Sequence, residues 1–462
     1  QRNAQNERGC MKLYDDKSKV KTVRVLVYPN ITFQRELSKD SYIQVIKQQI
    51  TLLNTLRDDL WFYLILPCEV PSLNFPNVTQ WFIKMPSYPP AMRSHFDVLN
   101  MQNILDYTNL DFDLVMSHLP EHTHALKNTM YNLTHHTPPI FGYCHWFDVK
   151  EVVTWPKDSF IQNIAGLLEY DRCYLNTQYQ KDLVIKQARE TFNDDIIDKL
   201  ESILTVQYLG VNRDNIVSHI QENTEKIIVF NHRPDAYKNF NGFMKVCDEL
   251  WKKRQDFKVW IPLLDQPNRD YVVTDKGDKD WYYKELQRCC VGFSPEQKYG
   301  GWSVATTDGM MNGVPYIMFD ASYYHELNDK GEFFKDDHDA LMLMNIYLDD
   351  PKYRNEQANN ALNHVYNKLI YSNEIIKMND YINNLLSRQK VMRSINIVSD
   401  VKTDRLQDIV EFIKKGPATK KQIMEFLGWG RGIKWSPYRR ALMLHPNIFD
   451  IKDPFPVYTY IS

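Results

Sequence analysis

The chain has 462 residues, which at roughly 150 per domain is enough for two or three domains. Apolar residues make up 43%, charged residues 25% and aromatics 13%, a globular composition that excludes a mostly disordered, fibrous or coiled-coil protein. The formal net charge of -2 announces no nucleic-acid partner, and no run of 18 apolar residues offers a membrane span.

Gln1 to Cys10 is polar and lacks the apolar stretch of a signal peptide. The seven cysteines are irregularly spaced, with Cys289 and Cys290 adjacent and no CxxC pair, so a reduced, cytosolic chain is expected.

Thr22–Pro29 is a β-branched run and predicts a first buried strand. Ser41–Leu56 has helical periodicity, with Ile43, Ile46, Ile50, Leu53 and Leu56 on one side. Trp61–Leu66 and Val78–Ile83 predict further strands, as do Asp111–Met116, running into His118, and Pro139–Cys144, running into His145. Phe160–Glu169 reads as a helix, Cys173–Leu175 as a strand, Gln180–Ala188 as a helix and Leu204–Tyr208 as a strand. Alternating strands and helices predict an α/β domain around a parallel sheet, with function beyond the carboxyl ends of the strands.

Val211–Glu225 reads as a passage between domains. A second α/β unit follows. Its predicted strands are Ile227–Phe230, Phe257–Ile261 and Pro315–Phe319; its helices are Phe240–Lys253, Trp281–Arg288 and Thr306–Asn312. Helices continue from Asp337 to about Leu385, and Ser387–Thr403 reads as a linker or long crossover.

Val401 to Ser462 differs in charge, with eleven Lys or Arg against six Asp or Glu, a local +5. Leu406–Lys415 predicts a helix stopped by Gly416 and Pro417. Thr419 and Gln422 have capping-box spacing ahead of a second helix, and Ser436-Pro437 opens a third. Two short strands close the chain, Ile448–Ile451 and Val457–Ile461. Three helices and a hairpin predict a winged helix. Lys420, Lys421, Arg431, Lys434, Arg439 and Arg440 are its candidate DNA-binding cations; the alternative is a small bundle packed on the core.

Six histidines fall between His118 and His145: these two, His122, His124, His135 and His136. No HExxH or other diagnostic ligand spacing accompanies them, so no metal site is expected. His118 and His145 stand at strand ends, where an imidazole orients a hydroxyl or meets a phosphate. In the second unit, Arg233 and Lys238 follow the Ile227–Phe230 strand, and two fixed cations there suit a diphosphate. Gly300, Gly301, Trp302 and Ser303 precede a helix start that favours phosphate, and Asp308 can accept hydrogen bonds from ribose hydroxyls. GxGxxG and the P-loop motif are both absent.

Taken in order, these segments resemble the GT-B glycosyltransferases, specifically the broad retaining family of nucleotide-sugar enzymes. Asp113 to His118 and Pro139 to His145 look like the family's two cleft-facing strand ends, and Leu209-Gly210-Val211-Asn212 is similar to its turn before the interdomain linker. Arg233 and Lys238 match its phosphate-binding pair, and Asp308 to Pro315 resembles its EAMAxGxP motif. Two positions depart: Asp308 replaces the usual Glu, and Gly300 stands where the family often has a second Glu.

The resemblance implies two Rossmann-like domains facing across a cleft, residues 11–210 on the acceptor side and 211–395 binding the nucleotide sugar, with the winged-helix-like unit at 401–462. It implies a UDP-sugar donor, front-face retaining transfer and no metal. Arg233 and Lys238 would stabilise the leaving diphosphate, His145 would contact the donor sugar or its phosphate, and His118 would line the acceptor side. With the basic tail, the whole resembles phage enzymes that glycosylate 5-hydroxymethylpyrimidines in DNA. That implies double-stranded DNA with a modified cytosine as partner, a monomer, and the cytoplasm of an infected bacterial cell, with Tyr88, Arg93, His95 and Trp146 near a flipped base. The alternatives are a glycan, lipid or protein acceptor, or an inactive DNA-binding protein on the same core.

Overall fold

The computed structural model describes residues 23–29, 41–67, 75–83, 96–108, 112–134, 136–150, 157–220, 225–298, 301–400, 403–416, 418–427, 448–453 and 455–460. The first unit holds strands β1 (Val23–Tyr28), β2 (Leu60–Pro67), β3 (Val78–Ile83), β4 (Leu114–Ser117), β5 (Ile140–Tyr143), β6 (Arg172–Leu175) and β7 (Leu204–Val206). They form one parallel sheet in the order β3-β2-β1-β4-β5-β6-β7. The strands are short and apolar because both faces of the sheet are covered. Val25 and Val27 point to one core and Leu26 to the other, the period of two that a pleated strand imposes.

Helices α1 (Ser41–Leu56), α2 (Val98–Thr108), α3 (Pro120–Thr134), α4 (Lys157–Leu167), α5 (Gln178–Arg189) and α6 (Asp194–Ile203) connect these strands. α1 has the bounds its periodicity predicts, burying Ile43, Ile46, Ile50 and Leu53 against one face, whereas Leu56, expected on that face, is exposed at the helix end. α2 to α6 cover the other. Sequence patterning misses α2, α3 and α6. α6 is nevertheless amphipathic, burying Ile197, Leu200 and Ile203 behind an Asn193 cap.

The second unit has β8 (Ile227–Val229), β9 (Lys258–Trp260), β10 (Val272–Val273), β11 (Val291–Ser294), β12 (Tyr316–Phe319) and β13 (Glu332–Phe334). They too are parallel, in the order β10-β9-β8-β11-β12-β13. α7 (Phe240–Lys253) packs on one face with α11 (Asp337–Asp349). α8 (Lys279–Leu286), α9 (Val304–Met311), α10 (Ser322–Leu327) and α12 (Pro351–Lys368) contribute to the core on the other. In both sheets the strand order reverses beside the first strand, between β1 and β4 and between β8 and β11. Such a reversal opens a crevice at the carboxyl ends.

The chain crosses between units twice, side by side. Val211 bridges Ile370, and its N–H donates to the Leu369 carbonyl at 2.8 Å. A Cβ at Gly210 would come within 2.5 Å of the Leu369 carbonyl oxygen, so this crossing admits only glycine. α13 (Tyr371–Asp400) then returns to the first unit, where Tyr371, Ile375, Met378, Ile382 and Leu385 complete the core against α1. Residues 371–385, grouped by sequence with the second domain, thus pack in the first. The expected linker over Ser387–Thr403 is instead helical through Asp400. That stretch contains no glycine or proline to end a helix.

Beyond it come α14 (Thr403–Lys414), β14 (Ala418–Thr419), α15 (Lys420–Phe426), β15 (Ile448–Asp453) and β16 (Phe455–Tyr460). The expected hairpin is present as an antiparallel β15–β16 pair, and β14 adds to it in the order β14-β16-β15. The capping box makes both its bonds: Gln422 N–H donates to the Thr419 hydroxyl, and Thr419 N–H to the Gln422 side chain. Phe412 stacks on Phe426 at 4.3 Å, joining α14 to α15. The helix expected at Ser436 lies outside the described residues.

Candidate functional site

The carboxyl end of β8 continues through Phe230 into Asn231, His232 and Arg233, then a 3-10 turn over Ala236–Lys238. Arg233 is exposed. Lys238 is half-buried and donates through Nζ to Gln297 Oε1, in the loop that leads from β11 to α9. Gln297 is fixed in turn: its backbone N–H donates to the Tyr323 hydroxyl at 3.1 Å, and its side-chain amide donates to the Tyr324 hydroxyl. Burial pushes the Lys238 ammonium down to about 8; Arg233 adds to the shift and Asp235 opposes it. An anion arriving between Arg233 and Lys238 would reverse that shift.

α9 starts at the same crevice. Ser303 is its N-cap, accepting from Thr306 N–H. Helix geometry leaves the amides of Val304 and Ala305 without intrahelical acceptors, and the helix dipole makes this end favourable to anions. A Cβ built on Gly301 meets nothing within 4 Å, so the backbone before the helix borders open space. Asp308, one turn on, is pushed up to about 7 by burial, with Lys279 opposing, and Tyr282 and Tyr283 of α8 lie beside it. Trp302 is buried against Tyr208, ring centres 5.3 Å apart. Gly300 lies outside the described residues.

The matching crevice of the first sheet has another character. His118 follows β4, and its N–H donates to the Tyr28 carbonyl at the end of β1. Its ring is 0% exposed and edge-on to Tyr42, beside the Tyr143 backbone. Burial pushes its pKa down to about 3, with His145 adding to the shift and a hydrogen bond to the Tyr143 backbone opposing it. His145, after β5, stacks on Tyr42 at 4.0 Å, and burial pushes it down to about 4. Both imidazoles are therefore neutral near neutral pH. His118 and His145 both lie against Tyr42; both were expected to face a cleft, and the His118 ring is instead sealed.

Two further histidines of this stretch have local partners, and His135 lies outside the described residues. His122 Nδ1 meets the Tyr28 hydroxyl at 2.8 Å, and His124 pairs with Glu169 at 2.7 Å. Asp113, part of the DFD sequence, accepts from Arg24 N–H and anchors β1. Lys420 begins α15, and Lys421 is exposed with Glu425 3.8 Å away. Arg431, Lys434, Arg439 and Arg440 lie outside the described residues, as do Tyr88, Arg93 and His95.

Sequence reasoning missed what joins the two crevices. Glu326 of α10, in the second unit, accepts from the backbone N–H groups of Gln178 and Tyr179 at 2.6 and 2.7 Å. These are the first amides of α5 in the first unit, and the Tyr208 hydroxyl reaches the same carboxylate. Tyr179 also packs on Tyr323. α5 leaves the carboxyl end of β6 and α10 the carboxyl end of β12, so the two carboxyl edges face one another. Glu326 carried no local signal, because its partners are some 148 residues away.

No family profile matches the chain, and a search of curated proteins finds no match. Solved structures do match. HepE of Anabaena, in complex with UDP and glucose, aligns with a TM-score of 0.55 and 11% identity over 79% of this chain and 99% of that one. The fold is GT-B. A UDP-forming α,α-trehalose-phosphate synthase from Burkholderia xenovorans aligns with a TM-score of 0.54 and 11% identity, over 80% of this chain and 99% of that one. This chain also spans 58% of the length of TarM, at 17% identity and a TM-score of 0.48. Among the described residues no helix is long and apolar enough to cross a membrane.

Proposed function

We propose that the chain is a glycosyltransferase that takes a UDP-sugar as donor. One observation carries the reading: Lys238, which feels the charge of Arg233, is tied through Gln297 to the loop that leads from β11 into α9. Two cations and unpaired amides suit a diphosphate, and Asp308 suits a ribose. The complexes of HepE with UDP and glucose on the same fold support it.

In this reading the bond between the anomeric carbon and the diphosphate oxygen breaks, and its electron pair leaves with the diphosphate. Arg233, Lys238 and the α9 amides stabilise that charge. The acceptor hydroxyl bonds to the same face of the anomeric carbon, with retention, and its proton passes to the leaving diphosphate. His145 contacts the donor sugar or its phosphate, and His118 backs the acceptor side.

The acceptor we assign is the hydroxymethyl group of a modified cytosine in duplex DNA, with the base flipped into the gap between units. The order helix, strand, helix and antiparallel hairpin after residue 402 supports a winged helix, and the local charge of +5 suits a phosphate backbone. The assay is hydroxymethylated duplex DNA incubated with a panel of UDP-sugars, read by mass spectrometry of the nucleosides. A glucosylated or arabinosylated hydroxymethylcytosine is expected. Donor hydrolysis or transfer to a glycan with no nucleoside product would remove the DNA acceptor and leave the donor reading intact. Deleting residues from Val401 onward should weaken duplex binding at low salt; unchanged affinity would make the tail a packing element.

A further inference from the structure

We propose that His232 is a positioning residue for the donor diphosphate, acting through Ser294 and Thr306 on Ser303 at the start of α9. The inference rests on the donor site above. His232 lies between Asn231 and Arg233, but its side chain turns inward and is 4% exposed. Its Nε2 meets Ser294 Oγ at 3.3 Å, across the reversal between β8 and β11. Ser294 Oγ meets Thr306 Oγ1 at 2.6 Å, and Thr306 Oγ1 meets Ser303 Oγ at 2.7 Å. All three hydroxyls are buried. A second tie runs beside this chain: Asn231 Nδ2 donates to the Ala305 carbonyl at 2.7 Å, and the Tyr316 hydroxyl donates to Asn231 Oδ1 at 2.9 Å.

Four polar groups in a row are costly to bury unless each is satisfied, and an apolar strand exit would hold a helix as well. What the row adds is an order of protons. Burial and the nearby Lys238 charge keep His232 neutral, so one ring nitrogen carries a proton and the other does not. With the proton on Nε2, His232 donates to Ser294, Ser294 to Thr306 and Thr306 to Ser303. Ser303 then keeps its own O–H for a phosphate oxygen, beside the Val304 and Ala305 amides. With the opposite order that O–H is spent inside the row. The imidazole therefore sets whether the N-cap hydroxyl can donate to the diphosphate.

The test is a double-mutant cycle read by calorimetry, with UDP and uridine as the two probes. His232→Ala and Ser303→Ala should each weaken UDP binding about tenfold, while uridine affinity stays within about twofold. The double variant should lose no more than either single one, because the two residues act as a unit. His232→Gln, which still offers an N–H to Ser294, should recover most of the loss. Additive losses, or equal loss for uridine, would overturn the proposal and leave His232 a packing residue. If His232→Ala does not fold, Ser294→Ala breaks the same row and enters the same cycle. A wild-type protein that binds no UDP would sink the donor site itself; UDP binding untouched by these variants would sink only this inference.

Discussion

The two sheets share a topology and differ in what leaves their central strands. β8 releases Asn231, His232, Arg233 and, after one turn, Lys238, and β11 leads into α9 with an open N-terminus. β4 and β5 release His118 and His145 into a nest of tyrosines, where burial holds both rings neutral. The lesson is that a Rossmann-type crevice is only a location. The residues in the first turns after the strands decide whether it holds an anion or a neutral, aromatic ligand.

The largest expected effect breaks the charged side. Arg233→Ala should weaken UDP-glucose binding about a hundredfold by calorimetry, since hydrogen bonds to charged groups are the strong ones. His118→Phe should change it less than about twofold. Equal losses would mean that the two crevices are not specialised as described.

The next effect concerns the neutral side. His118 has its pKa lowered in the folded protein, from an ordinary 6.5 to about 3, so its contribution to stability is intact above 6.5 and is lost as the pH falls below that. By pH 5 the loss is about 2 kcal/mol, and His118→Phe should abolish it. Urea unfolding at pH 7 and pH 5 would show it as a shallower acid slope in the variant; identical slopes would place His118 in contact with water.

A smaller effect sharpens the charged side. Lys238 loses its proton above about 8 and Asp308 gains one below about 7, so UDP-glucose affinity should peak between these values. The alkaline limb should fall by at most about tenfold per pH unit, and Lys238→Arg should flatten it, because a guanidinium stays charged. A flat wild-type profile from pH 6 to 9.5 would contradict the placing of both groups in the donor site.

The smallest effect concerns the contact between the crevices. Glu326→Gln removes the charge that caps α5 from the opposite unit and should cost about 1 kcal/mol. Small-angle scattering should then report a larger radius of gyration. An unchanged radius and midpoint would show that the two units are held by the crossing at Gly210 and α13 alone.

Much of this was legible in the sequence where the signal is local. Thr22–Pro29 and Ile227–Phe230 read as strands because apolar, β-branched runs suit a sheet covered on both faces. Arg233 and Lys238 stand out in the sequence because they follow such a strand closely. α2 escaped because its pattern is weak, and the end of α13 was misread because charged and polar residues concealed an uninterrupted helix.

The sequence by itself determined the alternation of strands and helices, the cations at the second sheet's edge, the capping box and the closing hairpin. Each depends on residues within a few positions of one another, whose propensities and spacing act before any fold exists. Only the tertiary structure decided that His232 meets Ser294, that Glu326 caps α5, that α13 belongs to the first unit and that His118 is sealed. Those contacts join residues far apart in the chain. Sheet order and the double crossing at Gly210 bring them together, and no local spacing encodes either.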